Sequence, residues 1–275
     1  MSALPVSDLI DLGTTRDQLV AIMQEARRLV MRRFQKAVAS RTKSDGSPLS
    51  EADEEMHHFL AARLPAVMDI PIVSEEGIPS VSEGQPFWVV DPLDGTKEFL
   101  NGIPEFTINA AIIVNGRPVL GAVEAPGQGR TCIGVVGEGA WTSERGGSLK
   151  PLAPRPGSMF PRIAVSRFHA DAATQAFLGV LNEAEYVQIG SALKFCALAG
   201  GEAEIYPRFG RTMEWDTAAG QCVLEACGGK VLSLVDGLPV RYGKPDYANS
   251  GFIALAPGFR AGEEVVTIAR ELTLI

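Results

Sequence analysis

The apolar rhythm of the chain changes twice, and those changes constrain the fold more than any single residue. Across residues 16–38, Leu19, Ile22, Met23, Ala26, Leu29, Val30 and Phe34 recur mostly at steps of three and four, the stripe of an amphipathic helix. The polar run Arg41–Pro48 ends it. Ser50 is placed to cap a second helix, with Glu51, Asp53 and Glu54 near the positive end of its dipole. That helix is expected to stop near Leu64-Pro65. The period then shortens. Residues 70–74, 87–90, 106–114, 119–125 and 131–136 read as strands, and Asn115-Gly116 is a hairpin turn between two of them.

A stretch rich in Gly, Pro and basic residues, 144–156, is the expected domain joint. Beyond it strands at 163–166, 186–189, 203–206, 230–234 and 252–255 are interleaved with helices at 172–181, 193–199, 217–226 and 262–272. Strand-helix alternation implies a layered α/β half. At 275 residues, the chain suits one large core or two tightly joined ones. The expectation is an N-terminal α+β half, residues 1–150, and a C-terminal α/β half, residues 151–275.

The chemistry concentrates where apolar strands run into acids. In Trp88-Val89-Val90-Asp91-Pro92-Leu93-Asp94-Gly95-Thr96 a buried strand delivers Asp91 at its end. Pro92 restricts the backbone and donates no hydrogen bond, and Gly95 permits a tight or left-handed turn. Asp91, the Leu93 carbonyl and Asp94 form a compact set of hard oxygens, the ligands that Mg²⁺ takes. Asp-Pro and Asp-Gly are also ordinary turn pairs, so the segment alone leaves both readings open. A second strand ends in Ser74-Glu75-Glu76, and carboxylates at two strand ends suggest a shared cation. Asp216, in Glu214-Trp215-Asp216-Thr217, reads either as a helix cap or as a further ligand. Asp53 reads either as charge on a helix dipole or as part of the site.

Composition narrows the function. Net charge is −8, with no Lys/Arg cluster dense enough for a basic face, so nucleic acid is not an expected partner. No basic segment precedes a long apolar run, and no stretch approaches the roughly 18 apolar residues of a membrane span. Four cysteines form no CxxC pair. A reduced, cytoplasmic protein is expected.

In this order the Asp, Glu-Glu, Asp-Pro-Leu-Asp-Gly-Thr and Trp-Asp-x-x-x-Gly segments, from Asp53 to Gly220, resemble the lithium-sensitive, metal-dependent phosphatase superfamily of inositol monophosphatases, fructose-1,6-bisphosphatases and bisphosphate nucleotidases. Asp91–Phe99, Ser166–Asp171, Gly190–Cys196 and Tyr206–Gly210 resemble the bisphosphate nucleotidase branch. The resemblance implies alternating αβαβα layers. It implies metal ligation by Glu75, Asp91, the Leu93 carbonyl, Asp94 and Asp216, two or three Mg²⁺ ions, and inhibition by Li⁺. Asp53 and Thr96 match the pair that positions and deprotonates the attacking water, with Glu75 beside them and Glu76 in support.

Ser166, His169, Ser191, Lys194 and Arg208 match positions that hold the nucleoside and the uncleaved phosphate, with Gly95, Thr96 and Asp216 also contacting substrate. Lys194 and Arg208 as mere surface charges, and His169 as incidental, are the competing readings. His57 and His58 are expected on a helix surface without a role. The substrate implied is a small nucleotide bisphosphate, 3′-phosphoadenosine 5′-phosphate (PAP). Inositol phosphates and fructose 1,6-bisphosphate are alternatives on the same metal core, and a non-catalytic metal- or nucleotide-binding module is an alternative of another class. A homodimer and a peripheral association with the inner membrane are compatible with the resemblance.

Overall fold

Two helices, α1 (Leu12–Phe34) and α2 (Glu51–Arg63), carry the apolar stripes and lie side by side. The computed structural model describes residues 12–34, 40–42, 48–82, 84–153, 161–167, 171–181 and 184–273. Helix α1 therefore starts earlier than its pattern suggested, and the expected continuation over 35–38 lies outside the described residues. Between the helices, within the polar run, β1 (Ser40–Thr42) and β2 (Pro48–Ser50) pair as an antiparallel ribbon. A 3-10 turn, Leu64–Ala66, closes α2 at the expected proline.

Seven strands follow in one sheet ordered by sequence: β3 (Ile72–Ser74), β4 (Phe87–Asp94), β5 (Thr107–Val114), β6 (Arg117–Ala125), β7 (Arg130–Val135), β8 (Gly139–Glu144) and β9 (Lys150–Pro151). A short helix, α3 (Thr96–Leu100), leaves the end of β4. Only β3 and β4 run parallel; the rest is an antiparallel meander. Asn115 and Gly116 both take positive φ, 53° and 74°, the geometry that a two-residue hairpin demands. Strand β8 was not legible as a strand, and β9 lies within the Gly/Pro-rich stretch.

The second sheet combines β10 (Arg162–Val165), β11 (Glu185–Gln188), β12 (Ile205–Arg208), β14 (Lys230–Ser233) and β16 (Phe252–Leu255) in the order β11-β10-β12-β16-β14. Its first three strands are parallel and the last two join antiparallel. A ribbon of β13 (Thr212–Met213) and β15 (Ala248–Asn249) stands apart. The remaining helices are α4 (Ala172–Val180), α5 (Leu193–Ala199), α6 (Ala218–Ala226) and α7 (Gly262–Leu272).

Three apolar clusters place these elements in five layers. Leu19, Met23, Met56 and Leu60 of α1 and α2 pack on Trp88, Val90, Ile108 and Ile112, one face of the seven-stranded sheet. The opposite face, through Phe87, Val89, Ala111 and Val123, packs with Phe195 of α5, Val223 of α6 and Phe252 of the second sheet. The far face of that sheet, through Ile163, Ile205 and Ile253, covers Phe177 of α4 and Val265 of α7. The result is the expected αβαβα stack. Residues alternate faces along a strand, so Asp91 shares the face of Phe87 and Val89 and points toward the middle layer. Among the described residues, no helix is long and apolar enough to cross a membrane.

Candidate active site

Strand β4 would normally send Asp91 and Asp94, three residues apart, to opposite faces. Its pairing with β5 prevents this. Asp91 lies opposite Asn109, and Asp94 lies opposite Thr107, with a register shift between them. Three steps on one strand match two on the other. This bulge inserts one residue and re-aims the side chains after it, so both aspartates emerge on one side. Pro92 sits inside the bulge, where a missing N–H breaks no ladder bond. The Leu93 amide donates to Asp91 Oδ1 at 3.1 Å, and Thr96 Oγ1 donates to the Leu93 carbonyl at 3.1 Å. Gly95 holds φ at 90°, and a Cβ there would meet Phe106 Cα and the Glu105 carbonyl at 3.2 Å, so the sharp exit into α3 requires glycine.

The other acids arrive from separate elements. Asp53, in the first turn of α2, is completely buried, which removes the reading of a solvated dipole charge. Its carboxylate can share one ion with those of Glu75 and Glu76, their oxygens lying within 4.8 Å of one another. Asp216 ends a 3-10 turn, Glu214–Asp216. It does not cap α6: its Oδ2 looks back and accepts the Met213 amide at 2.8 Å. Glu214 anchors this turn from inside, fully buried, accepting the Gly243 amide at 2.7 Å and the Lys244 ammonium at 2.6 Å. Asp94 Oδ2 accepts the Ala192 amide at 2.7 Å and Thr107 Oγ1 at 3.4 Å.

The carboxylates act on one another. Burial raises the pKa of Asp91 well above its ordinary value, and Asp94, Glu75, Asp216 and Asp53 each push it further. Burial also raises Asp94, against the pull of Lys194. Asp216 is pushed up to about 7 by burial and then by Asp94. Gathering anions in a low-dielectric pocket is costly without compensation. An all-oxygen donor set of this kind fits hard divalent cations such as Mg²⁺. Beside Asp91, the Asn109 side chain is buried with no hydrogen-bond partner for its amide nitrogen or oxygen among the described residues, a further polar group aimed at the same interior.

Cations share the site. A cleft of about 310 Å³ is lined by Glu75, Asp94, Gly95, Thr96 and Asp216 together with Ser166, Ser191, Lys194 and Arg208. Asp53, Asp91 and Leu93 are not in its lining; all three are buried. Lys194 is not a surface charge, and Arg208 is half-buried. Lys194 is 2% exposed; its ammonium donates to the carbonyls of Ser191, 2.7 Å, and Ile189, 3.2 Å, and lies 4.9 Å from the centre of the Tyr206 ring. Burial lowers its pKa to about 8. Arg208 has a buried Nε without a hydrogen-bond partner among the described residues.

Two expectations change. Thr96, which the matched pair would have accept from the attacking water while passing its own proton to Asp53, donates instead to the Leu93 carbonyl. His57 is not idle on a helix surface: its Nδ1 is 3.1 Å from Ser74 Oγ, where β3 delivers Glu75, and burial lowers its pKa. His58 is exposed, and His169 lies outside the described residues. Thr107, Asn109 and Glu214 were missed. The first two left a signal, polar side chains inside an otherwise apolar strand; Glu214 looked like one more acid.

The profile of the inositol monophosphatase family matches residues 11–272. A protein of Shigella flexneri named 3′(2′),5′-bisphosphate nucleotidase CysQ is 41% identical over 216 residues, covering 77% of this chain and 86% of the relative. Among solved structures, CysQ from Bacteroides thetaiotaomicron, a bacterial member of the inositol monophosphatase family, superposes with a TM-score of 0.79 at 30% identity. It covers 90% of this chain and 98% of its own. An IMPase of Thermotoga maritima shares the fold, with a TM-score of 0.78 at 22% identity over 94% of this chain and 97% of its own.

Proposed function

The chain belongs to the inositol monophosphatase family, and from that membership and the two-signed cleft we propose that it hydrolyses the 3′-phosphate of PAP, giving AMP and phosphate, with the sulfated analogue PAPS as a further substrate. The observation that carries the reading is the presence of both charges in one cleft. Carboxylates line it together with Lys194 and Arg208, which suits a substrate with one phosphate at a metal and a second, separate phosphate at a guanidinium. Two or three Mg²⁺ ions held by Glu75, Asp91, the Leu93 carbonyl, Asp94 and Asp216 would neutralise the phosphoryl oxygens and acidify water.

The protein's own groups do the rest. With its proton on the Leu93 carbonyl, the Thr96 oxygen keeps its lone pairs as acceptors and can orient the attacking water. Asp53 and Glu75 are the bases within the acidic group, and Glu76 supports them. Ser166, His169 and Ser191 hold the nucleoside, and Arg208 the phosphate that stays. Lys194 spends two of its protons on the 189–191 loop, so it both shapes that wall and offers a third proton to substrate. The acidic wall belongs mostly to the half over residues 1–150 and the basic wall to the half over 151–275, with Asp216 crossing between them. Li⁺ inhibition, a homodimer and a cytoplasmic location, peripheral to the inner membrane at most, belong to the same reading.

Phosphate release from PAP, inositol 1-phosphate and fructose 1,6-bisphosphate, measured in parallel with Mg²⁺, tests it. PAP is expected to be hydrolysed with the highest kcat/KM. Preference for either other substrate overturns the substrate assignment, and metal binding with no turnover of any of them overturns the enzyme.

A further inference from the structure

We infer that Glu105 is a positioning residue that sets the substrate-binding wall against the metal wall, and so governs affinity for the nucleotide without taking part in phosphate cleavage. The inference rests on the reading of Ser166 and Ser191 as nucleoside contacts. Glu105 lies between α3 and β5, in the half that carries most of the acids, and it does not line the cleft. Its two carboxylate oxygens reach into the other half at two places. Oε1 accepts Arg167 Nη2 at 2.8 Å, and Oε2 accepts the Gly190 amide at 2.9 Å.

Those two partners sit at equivalent positions. Arg167 follows the end of β10, next to Ser166; Gly190 follows the end of β11, next to Ser191. The strands are parallel neighbours, so one carboxylate ties together the two loops that leave their carboxyl ends, at the same end of the second sheet. The approach is close. A Cβ on Gly190 would fall 2.6 Å from the Glu105 carbonyl oxygen and 2.9 Å from its Cβ. Ser191, directly after this contact, is held at φ 46°, a conformation that a non-glycine residue keeps only when its surroundings impose it. From there Ser191 Oγ donates to Thr107 at 3.0 Å, and the Ala192 amide reaches the metal-site carboxylate of Asp94. The same Glu105 carbonyl oxygen also lies close to Gly95, 3.2 Å from where a Cβ there would stand. Glu105 therefore stands where the phosphate-side turn and both nucleoside-side loops meet.

Charge-assisted hydrogen bonds of this kind are stronger than neutral ones. Glu105→Gln keeps the shape and one acceptor, but turns an acceptor facing Arg167 into an amide that cannot satisfy it in the same way; Glu105→Ala removes both bonds. For either variant the KM for PAP should rise roughly 10-fold to 100-fold, while kcat, the Mg²⁺ concentration for half-maximal rate and the hydrolysis of a small aryl phosphate stay within about 3-fold of wild type. Amide hydrogen exchange should speed up in both the 166–167 and 189–192 segments. Equal losses on PAP and the aryl phosphate, an unchanged KM, or unchanged exchange in either loop would overturn the inference. Glu105→Gln carries the test if the alanine variant fails to fold. A wild-type enzyme that ignores PAP sinks the substrate reading instead, and the same KM comparison then moves to the substrate it does hydrolyse.

Discussion

The acids of the site are drawn largely from one short run, Asp91 to Thr96, with Glu75 just past the end of the neighbouring strand. The basic wall is drawn from the ends of β10, β11 and β12 and from α5, segments separated by loops and helices. On the first side, backbone pairing does the positioning: a bulge against β5 aims both aspartates, and hydrogen bonds from the Leu93 amide and Thr96 lock the turn. On the second, a side chain reaches across from a distant part of the chain, Glu105 to Arg167 and Gly190, while Lys194 braces the neighbouring 189–191 loop through its carbonyls. A site assembled this way separates catalysis from specificity. On the proposed reading, substrate preference can change in the loops while the acidic turn, carried by a buried strand, stays as it is.

That separation can be broken at its strongest point first. Asp94→Asn keeps the shape of a residue that accepts the Ala192 amide but removes one of the clustered charges. It should lower kcat on the order of 10³-fold for bisphosphates and monophosphates alike, with circular dichroism and melting near wild type; a half-active variant would mean that Asp94 is not a metal ligand. Arg208→Ala should act on one side only. Its kcat/KM should drop on the order of 10²-fold for PAP and only slightly for a monophosphate in a steady-state assay. Equal losses on both would erase the distinction between the walls.

The smallest effect concerns stability. Asp216 rises from an ordinary 3.8 to about 7 in the folded state, and Asp91 and Asp94 rise as well. A carboxylate whose folded pKa lies above its unfolded one favours the fold when protonated. The metal-free protein should therefore lose stability as pH climbs from about 4 through about 7. Metal binds the deprotonated groups, so saturating Mg²⁺ should raise Tm more at pH 8 than at pH 5, by about 5 °C or more. Differential scanning fluorimetry at the two pH values checks this, and an equal or reversed gain would place the metal elsewhere.

Much of this was legible in advance because it is local. Helix stripes, the Asn115-Gly116 turn and the strand running into Asp91 follow from side-chain period and backbone preference, which act over a few residues. The acids of the candidate site could be singled out because their spacing and order carry a resemblance. Strand β8 escaped notice because Gly139, Thr142 and Ser143 break its apolar pattern, and its pairing with β7 supplies what the pattern lacks. Lys194 was expected to offer charge to a phosphate, but its burial was not legible, because part of what encloses it, Tyr206, comes from a strand of the second sheet.

The amino-acid sequence by itself determined the periodic elements, the layered class and the identity of the acids, since each rests on short-range sterics, hydrophobic period and side-chain chemistry. Tertiary structure alone decided which face Asp94 takes, where the Thr96 proton goes and that Glu105 bridges the two walls. Those outcomes depend on register and on contacts between residues as far apart as Glu105 and Gly190, and no local preference encodes the distance that closes between them.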